Sequence, residues 1–232
     1  MNDYNYWHDE WVQKATQENA FEAAGASNVA KNPFEFLHTL HAVKVALRLR
    51  PTDTLLDVGC STGVYPIALA SSVKKITGVE YVSQFVQRAK KNCASYPNIS
   101  IEKGDILSLP FRQHTFDAVL VNSVIQYVGD MDAVTVAIHE LYRVTKKGGR
   151  VLIALIPDAD KKQEYLDGIE KLPLTKARKR QLYEKNNRGM WFDRAQLRSL
   201  ARETGFKVSI LPVPAEVWQS WYMYSMLLEK KI

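Results

Sequence analysis

The sequence predicts an α/β fold: a doubly wound, mostly parallel sheet with helices on both faces and a helical cap at its N-terminal side. Three observations predict it. From residue 54 onward, short apolar runs alternate with longer amphipathic ones, which is the rhythm of βαβ units in a parallel sheet. The first of those runs leads into a glycine loop that opens a helix, the turn at which such sheets receive a ligand. The chain has 232 residues, 46% of them hydrophobic, enough for one domain with a sizeable core built on six or seven strands.

The elements follow in order. Residues 1 to 50 precede the sheet and read as helical: Trp7 and Trp11 lie one turn apart, and "NPFEFLHTLHAVKVALRL" carries an apolar stripe behind a proline in its first turn. They are expected to cap the sheet's edge or mouth, with residues 51 to 232 forming the sheet domain. "TLLDV", "KITGVE", "ISIEKG", "FDAVLVN" and "RVLIALI" read as buried strands. Between them fall helices over 64 to 72, 83 to 95 and 131 to 145, with Ser83 and Asp130 marking two starts and Gly148 of "KKGG" a left-handed stop. Residues 157 to 192 insert after the fifth strand and cluster Lys176, Arg178, Lys179 and Arg180, a pattern usually met on a solvated helix face. Asp193 then caps "RAQLRSLARETGF", and "KVSILPV" and "WYMYSMLLEK" supply two last strands.

Composition narrows the function classes. No apolar run approaches the roughly 18 residues that span a bilayer, and "MNDYNYWHDEW" lacks the layout of a signal peptide, so a soluble cytoplasmic protein is expected. The two cysteines, Cys60 and Cys93, share no metal-ligand spacing with the histidines; reduced thiols are expected, with no zinc site and no disulfide. A net charge of +6 favours anionic partners in general but is too dispersed to name nucleic acid.

Gly59-Cys60-Ser61-Thr62-Gly63 offers two chemistries. It spells G-x-S-x-G, the elbow that presents a nucleophilic serine, but Ser61 follows the first strand, with no earlier loop to donate an oxyanion amide. The histidines open to it, His114 in a polar loop and His139 in a helix interior, are poor triad partners. The cofactor reading uses more residues at once. Asp57 ends a strand, glycines 59 and 63 bring bare amides to the turn, and Glu80, 21 positions after Gly59, ends the second strand where a carboxylate accepts both hydroxyls of a ribose. The third glycine of the dinucleotide fingerprint is missing, with Tyr65 and Pro66 beyond the loop. Asp105, 25 residues after Glu80, ends the third strand where it would accept from an adenine amino group, which favours S-adenosylmethionine (SAM) over NAD.

Five stretches in order, "LLDVGCSTG", "ITGVEYVSQFVQRAKKN", "GDILSLPF", "FDAVLVNSVIQYV" and "LYRVTKKGGRVLIALI", resemble the motifs of the class I SAM-dependent methyltransferase superfamily, over about residues 50 to 156. The resemblance implies seven strands in the order 3-2-1-4-5-7-6 and in-line methyl transfer that leaves S-adenosylhomocysteine (SAH). It places Asp57, Gly59 and Gly63 at the methionine end, with Cys60 and Ser61 in the same loop; Ser61 stands where the superfamily most often has glycine. Glu80 falls on the ribose, Tyr81 on an adenine face, Asp105 and Ile106 on the adenine edge and Asn122 near the sulfonium. Tyr127 and Gln126 occupy positions where many relatives carry His or Glu, and His8 lies among Tyr4, Tyr6, Trp7 and Trp11, which would fold over the site as a lid. Tyr127 and His8 are therefore the candidate bases, and Tyr4, Trp7, Trp11 and Gln126 the candidate substrate contacts.

The acceptor is narrowed by what is missing. "NSVI" lacks the D/N-P-P-Y signature of DNA-adenine and glutamine methyltransferases, nothing resembles an appended RNA-binding module, and no carboxylate trio forms the magnesium site of catechol-type enzymes, although Asp158 and Asp160 are nearby. A small molecule methylated on O or N is expected, and the tail "YMYSMLLEKK" is similar to bacterial methyltransferases of sugar, surface-polysaccharide or natural-product pathways. Two alternatives stay open: an RNA or protein methyltransferase using the basic segment 171 to 188, and a non-catalytic SAM-binding protein. The oligomeric state is left open as well.

Overall fold

The computed structural model describes residues 3–17 and 32–232, with side chains from Tyr6 onward. Seven strands form one sheet: β1 (Thr54–Val58), β2 (Lys75–Glu80), β3 (Ile99–Lys103), β4 (Phe116–Asn122), β5 (Thr145–Pro157), β6 (Phe206–Pro212) and β7 (Met223–Lys230). Their order is β3-β2-β1-β4-β5-β7-β6, and all pairings are parallel except the two made by β7. The order reverses between β1 and β4, which opens a crevice at the C-terminal ends of those strands.

Strand alternation divides the core. Leu56, Val58, Val119 and Val121 face a layer built by α5 (Met131–Val144) and α8 (Arg194–Glu203), whose Ile138, Leu141, Leu197 and Ala201 are fully buried. Leu55, Ala118 and Leu120 face the other way, against Val43 and Leu47 of α2 (Pro33–Leu47) and Leu69 of α3 (Val64–Leu69). Both faces are covered, so every central strand reads as a continuous apolar run. The helix α2 starts as its sequence predicts, with Asn32 accepting from the Phe34 amide ahead of Pro33, but it lies on the sheet face, and of the two described N-terminal helices it is α1 (Asp3–Lys14) that reaches the crevice.

Other helix signals fare unevenly. Asp130 and Asp193 cap α5 and α8 through the amides of Ala133 and Gln196. Ser83 is not a cap: it is the first residue of α4 (Ser83–Cys93), and the amide of the capping residue, Val82, is taken by the Glu80 carboxylate. The helix over 64 to 72 is α3 followed by one 3-10 turn. Gly148 is left-handed (φ 73°), but it stops no helix, because α5 already ends at Val144 and the chain enters β5 at Thr145, which pairs with Phe116. The pairing then slips before Ala118 meets Arg150, and Gly148 and Gly149 absorb the slip; a Cβ on Gly149 would stand 2.8 Å from the Thr145 side chain. The insertion is a hairpin of α6 (Lys162–Glu170) and α7 (Lys176–Arg188), with Leu166 and Ile169 anchoring α6 and no residue of α7 buried. No helix among the described residues is long and apolar enough to cross a membrane.

Candidate functional site

Between β1 and α3 the backbone turns through three left-handed residues, Gly59 (φ 74°), Ser61 (φ 50°) and Gly63 (φ 86°). The amides of Gly59 and Cys60 both donate to the carbonyl of Val79, at 2.8 and 3.0 Å, which presses the loop against the end of β2. Only glycine fits at 59, because a Cβ there would lie 2.4 Å from Cγ2 of Val124. At 61 a serine bears the strained conformation, and its hydroxyl is buried without a hydrogen-bond partner. That is not how a nucleophile is set up; His114, weighed with it above, contacts the carbonyl of Thr145 instead.

Glu80 closes the loop from below. One carboxylate oxygen accepts from the Ser61 amide and the other from the Val82 amide, both at 2.9 Å. Burial pushes its pKa up, and the amide hydrogen bonds pull it back. Asp57 is 2% exposed, one of its oxygens has no partner, and burial, then the neighbouring Glu80 charge, push its pKa up to about 7. Asp57 Oδ2, Ser61 Oγ, Asn122 Oδ1 and Gln126 Oε1 are buried without a hydrogen-bond partner, and of these residues Ser61 and Asn122 line the cavity, where a polar ligand would meet them.

A cavity of about 120 Å³ opens here, floored by Gly59, Ser61 and Glu80 and walled by Tyr81, Asp105 and Asn122. Ile106 lines it as well, while Asp105 sits just past β3 in a turn that its own carboxylate holds through the Leu107 amide. Its roof is α1. The Trp7 ring lies 4.6 Å from that of Tyr127, Trp11 lies 5.3 Å from Tyr127 and 6.4 Å from Phe85, and His8 lies 5.3 Å from Tyr81. The helix is tied from both sides: Lys185 of α7 pairs with Glu10, and Arg88 of α4 donates to the carbonyls of Ala15 and Gln17.

Several sequence-predicted residues stand elsewhere. Alternation along β1 puts Val58 on the cavity and Asp57 beneath the loop. The Cys60 thiol turns away into an apolar cluster with Val86, Ala89, Cys93 and Ile101, and burial raises its pKa well above the ordinary thiol value. Gly63 faces Cys93 and caps α3 instead of lining the cavity. Gln126 is 3% exposed and donates to the Ser123 hydroxyl below the cavity wall. The side chain of Tyr4 lies outside the described residues. Tyr127 does reach the cavity, and burial raises its phenol pKa, which keeps the hydroxyl protonated. The sequence reading omitted Val82, Phe85, Ser123 and Val124, which also line the cavity; three are apolar and read as core, and only the left-handed Ser123 (φ 58°) is unusual. Past Tyr127 stands an aromatic wall in which Tyr165 lies 4.6 Å from Tyr222.

A family model described as a methyltransferase domain matches residues 56–153, the span that holds β2 to β4, most of β1 and β5, and Asp57, Glu80 and Asp105. Over these residues the chain carries a methyltransferase domain of the class I SAM-dependent kind. Its sequence is 31% identical over 173 residues to an uncharacterized 37.1 kDa protein in transposon TN4556 of Streptomyces fradiae, covering 72% of this chain and 48% of that protein. It is 34% identical over 111 residues to demethylmenaquinone methyltransferase of Streptomyces avermitilis, covering 48% of this chain and 46% of the relative. The chain thus spans about half the length of the curated relatives it matches. The methyltransferase fold is shared with the N-methyltransferase NodS of Bradyrhizobium japonicum bound to SAH, at 15% identity, TM-score 0.68 and 99% coverage of both chains. It is shared also with phosphoethanolamine N-methyltransferase 1 of Haemonchus contortus, at 13% identity and TM-score 0.76, over 99% of this chain and 49% of that one. The superfamily's cofactor is SAM, and the residues present fit it: a cation at the loop would complete the buried, unpaired Asp57 carboxylate, and Glu80 is already aimed by two amides at the end of β2.

Proposed function

We propose that this methyltransferase transfers a methyl group from SAM to a small-molecule acceptor, on oxygen or nitrogen, in a single displacement beneath α1. Bound SAM would supply an electrophilic methyl carbon on a sulfonium. The chain's part is then to bind, orient and exclude water. Glu80 would accept from the ribose hydroxyls, because the backbone amides that hold its carboxylate leave it lone pairs to spare. Gly59 and Ser61 would bring backbone to the methionine end, Tyr81 and His8 would flank the adenine, and Asp105 with Ile106 would meet its edge. Asp57 would act from behind the loop as the negative charge that balances the cation, and Asn122 would face the sulfonium.

On the acceptor side the neutral Tyr127 phenol would hold the acceptor by donating a hydrogen bond, while His8, beside Tyr81 at the adenine end, would not serve as its base. The observation that carries the reading is the Glu80 carboxylate fixed by the amides of Ser61 and Val82 at the mouth of the crevice. A small acceptor is favoured because α1 roofs the cavity, with Trp7 only 5% exposed. Sugar-like and natural-product intermediates suit the aromatic lining of Trp7, Trp11 and Tyr127. The test is incubation of the full chain with methyl-labelled SAM and fractionated cell extract, followed by mass identification of the product. Label in a small molecule supports the reading; label recovered only in RNA or protein, or in nothing, overturns it.

A further inference from the structure

The turn between α6 and α7 has a surface the cavity does not use. Residues 170–177 are exposed without interruption, and within them Leu172 and Leu174 are 42% and 40% exposed, flanking Pro173 at the tip of the hairpin. Tyr183, one helix face further on, is 40% exposed. Around these apolar side chains the charge is mostly positive. From Glu170 to Arg188, seven lysines and arginines accompany two glutamates, a net charge of +5 against +6 for the whole chain. Glu184 is paired with Arg180, and Lys185 is occupied with Glu10 of α1. Lys171, Lys176, Arg178 and Lys179 make no ion pair among the described residues; Lys179 leans back to the carbonyl of Glu170, and Arg178 to the side chain of Gln181. The buried apolar anchors of the hairpin are Leu166 and Ile169 of α6, and α7 buries no residue, so packing in the core does not explain its composition.

Two leucines held at a protruding tip and ringed by unneutralised cations match one kind of partner better than others. A lipid surface with anionic headgroups accepts apolar side chains at the depth of the acyl boundary and rewards each lysine or arginine beside it. A nucleic acid would reward the cations but not leucine, since single-stranded recognition uses aromatic or guanidinium planes for stacking. We infer that the hairpin tip, with Leu172 and Leu174 as the inserting residues and Lys171, Lys176, Arg178 and Lys179 as the headgroup contacts, docks this chain on an anionic bilayer surface. This stands apart from the proposed methyl transfer, because it uses no residue of the cavity.

The experiment is co-sedimentation of the full chain with vesicles of phosphatidylcholine alone, and with vesicles in which about a third of the lipid is phosphatidylglycerol. Binding is expected to the anionic vesicles only, and to weaken as salt rises through the range that shortens the screening length below about 10 Å. The Leu172→Ala/Leu174→Ala variant and the Lys176→Gln/Lys179→Gln variant should each bind about tenfold or more less tightly, while their SAH binding, measured by calorimetry, stays that of the parent chain. Equal binding to both vesicle types, no binding to either, or binding that both variants retain overturns the inference. Tight, salt-sensitive capture of transfer RNA through the same lysines with no vesicle binding would assign the surface to nucleic acid and overturn it as well.

Discussion

Replacing Gly59 with alanine tests whether the loop is a backbone cradle. The new Cβ would stand 2.4 Å from Cγ2 of Val124, where ordinary contact begins at 3.4 Å, so loop and valine must part by about 1 Å. Alanine also has to hold φ 74°, which costs about 1–2 kcal/mol, and forced overlap in a packed site adds about 1–3 kcal/mol. The loop cannot retreat toward β2 without breaking the Gly59 and Cys60 hydrogen bonds to Val79. The total of about 2–5 kcal/mol should appear as an SAH affinity reduced about 30-fold or more in calorimetry. The Gly59→Ala/Val124→Ala double variant removes the overlap but not the backbone strain, so it should recover part of the loss. If the single variant bound SAH as tightly as the parent chain, the cradle would be wrong.

Three further outcomes are expected. Ser61→Gly should raise the denaturation midpoint of the ligand-free chain by relieving φ 50°, a gain of about 1 kcal/mol, whereas Ser61→Ala, which removes only an unpartnered hydroxyl, should keep SAH binding; a lower midpoint for the glycine variant contradicts the strain. Asp57 carries its proton in the folded chain up to a pKa of about 7 and in the unfolded chain only to about 4, so it costs nothing below pH 4 and destabilises the ligand-free chain increasingly from there until pH 7 is passed. Asp57→Asn should therefore raise stability at pH 8 by a few kcal/mol and flatten its fall between pH 4 and 7, while weakening SAM binding; an unchanged pH profile would refute the burial argument. Trp7→Ala should free α1 more than it destabilises the sheet: backbone amides of residues 6–14 should exchange faster and SAH should dissociate faster, with the thermal midpoint of the sheet domain little moved.

The strands were the most legible part, since residues 54–58, 75–80 and 116–122 are short apolar runs buried on both faces and bounded by polar or glycine turns. What a single stretch could not show was any end decided by a distant partner. Ser83 has the letter of a cap, but Glu80 already holds the amide that matters, and β5 begins at Thr145 because Phe116 pairs with it. At the site, the loop and its two acids stood out by spacing, whereas the side each residue presents is a matter of alternation and of left-handed turns. Cys60 turns inward because the residues on either side of it are left-handed, and Asp57 is one position out of phase with the cavity. Phe85 and Val124 give no sign in sequence that they line a cavity, for an apolar residue beside a cavity and one in a core look alike. The pairing of Trp7 and Trp11 on one helix face was readable; that this face would meet Tyr127 was not.

The central claim is that Glu80, aimed by the amides of Ser61 and Val82, grips the ribose of SAM at the mouth of the crevice. Isothermal calorimetry of SAH with the parent chain and with Glu80→Ala tests it most directly. The account predicts saturable one-to-one binding by the parent chain and a loss of about 100-fold or more in the variant, whose ligand-free fold is checked by circular dichroism, because both carboxylate hydrogen bonds to the ribose and the two amide tethers are removed together. No heat of binding from the parent chain, or equal affinity in a folded Glu80→Ala chain, would contradict it.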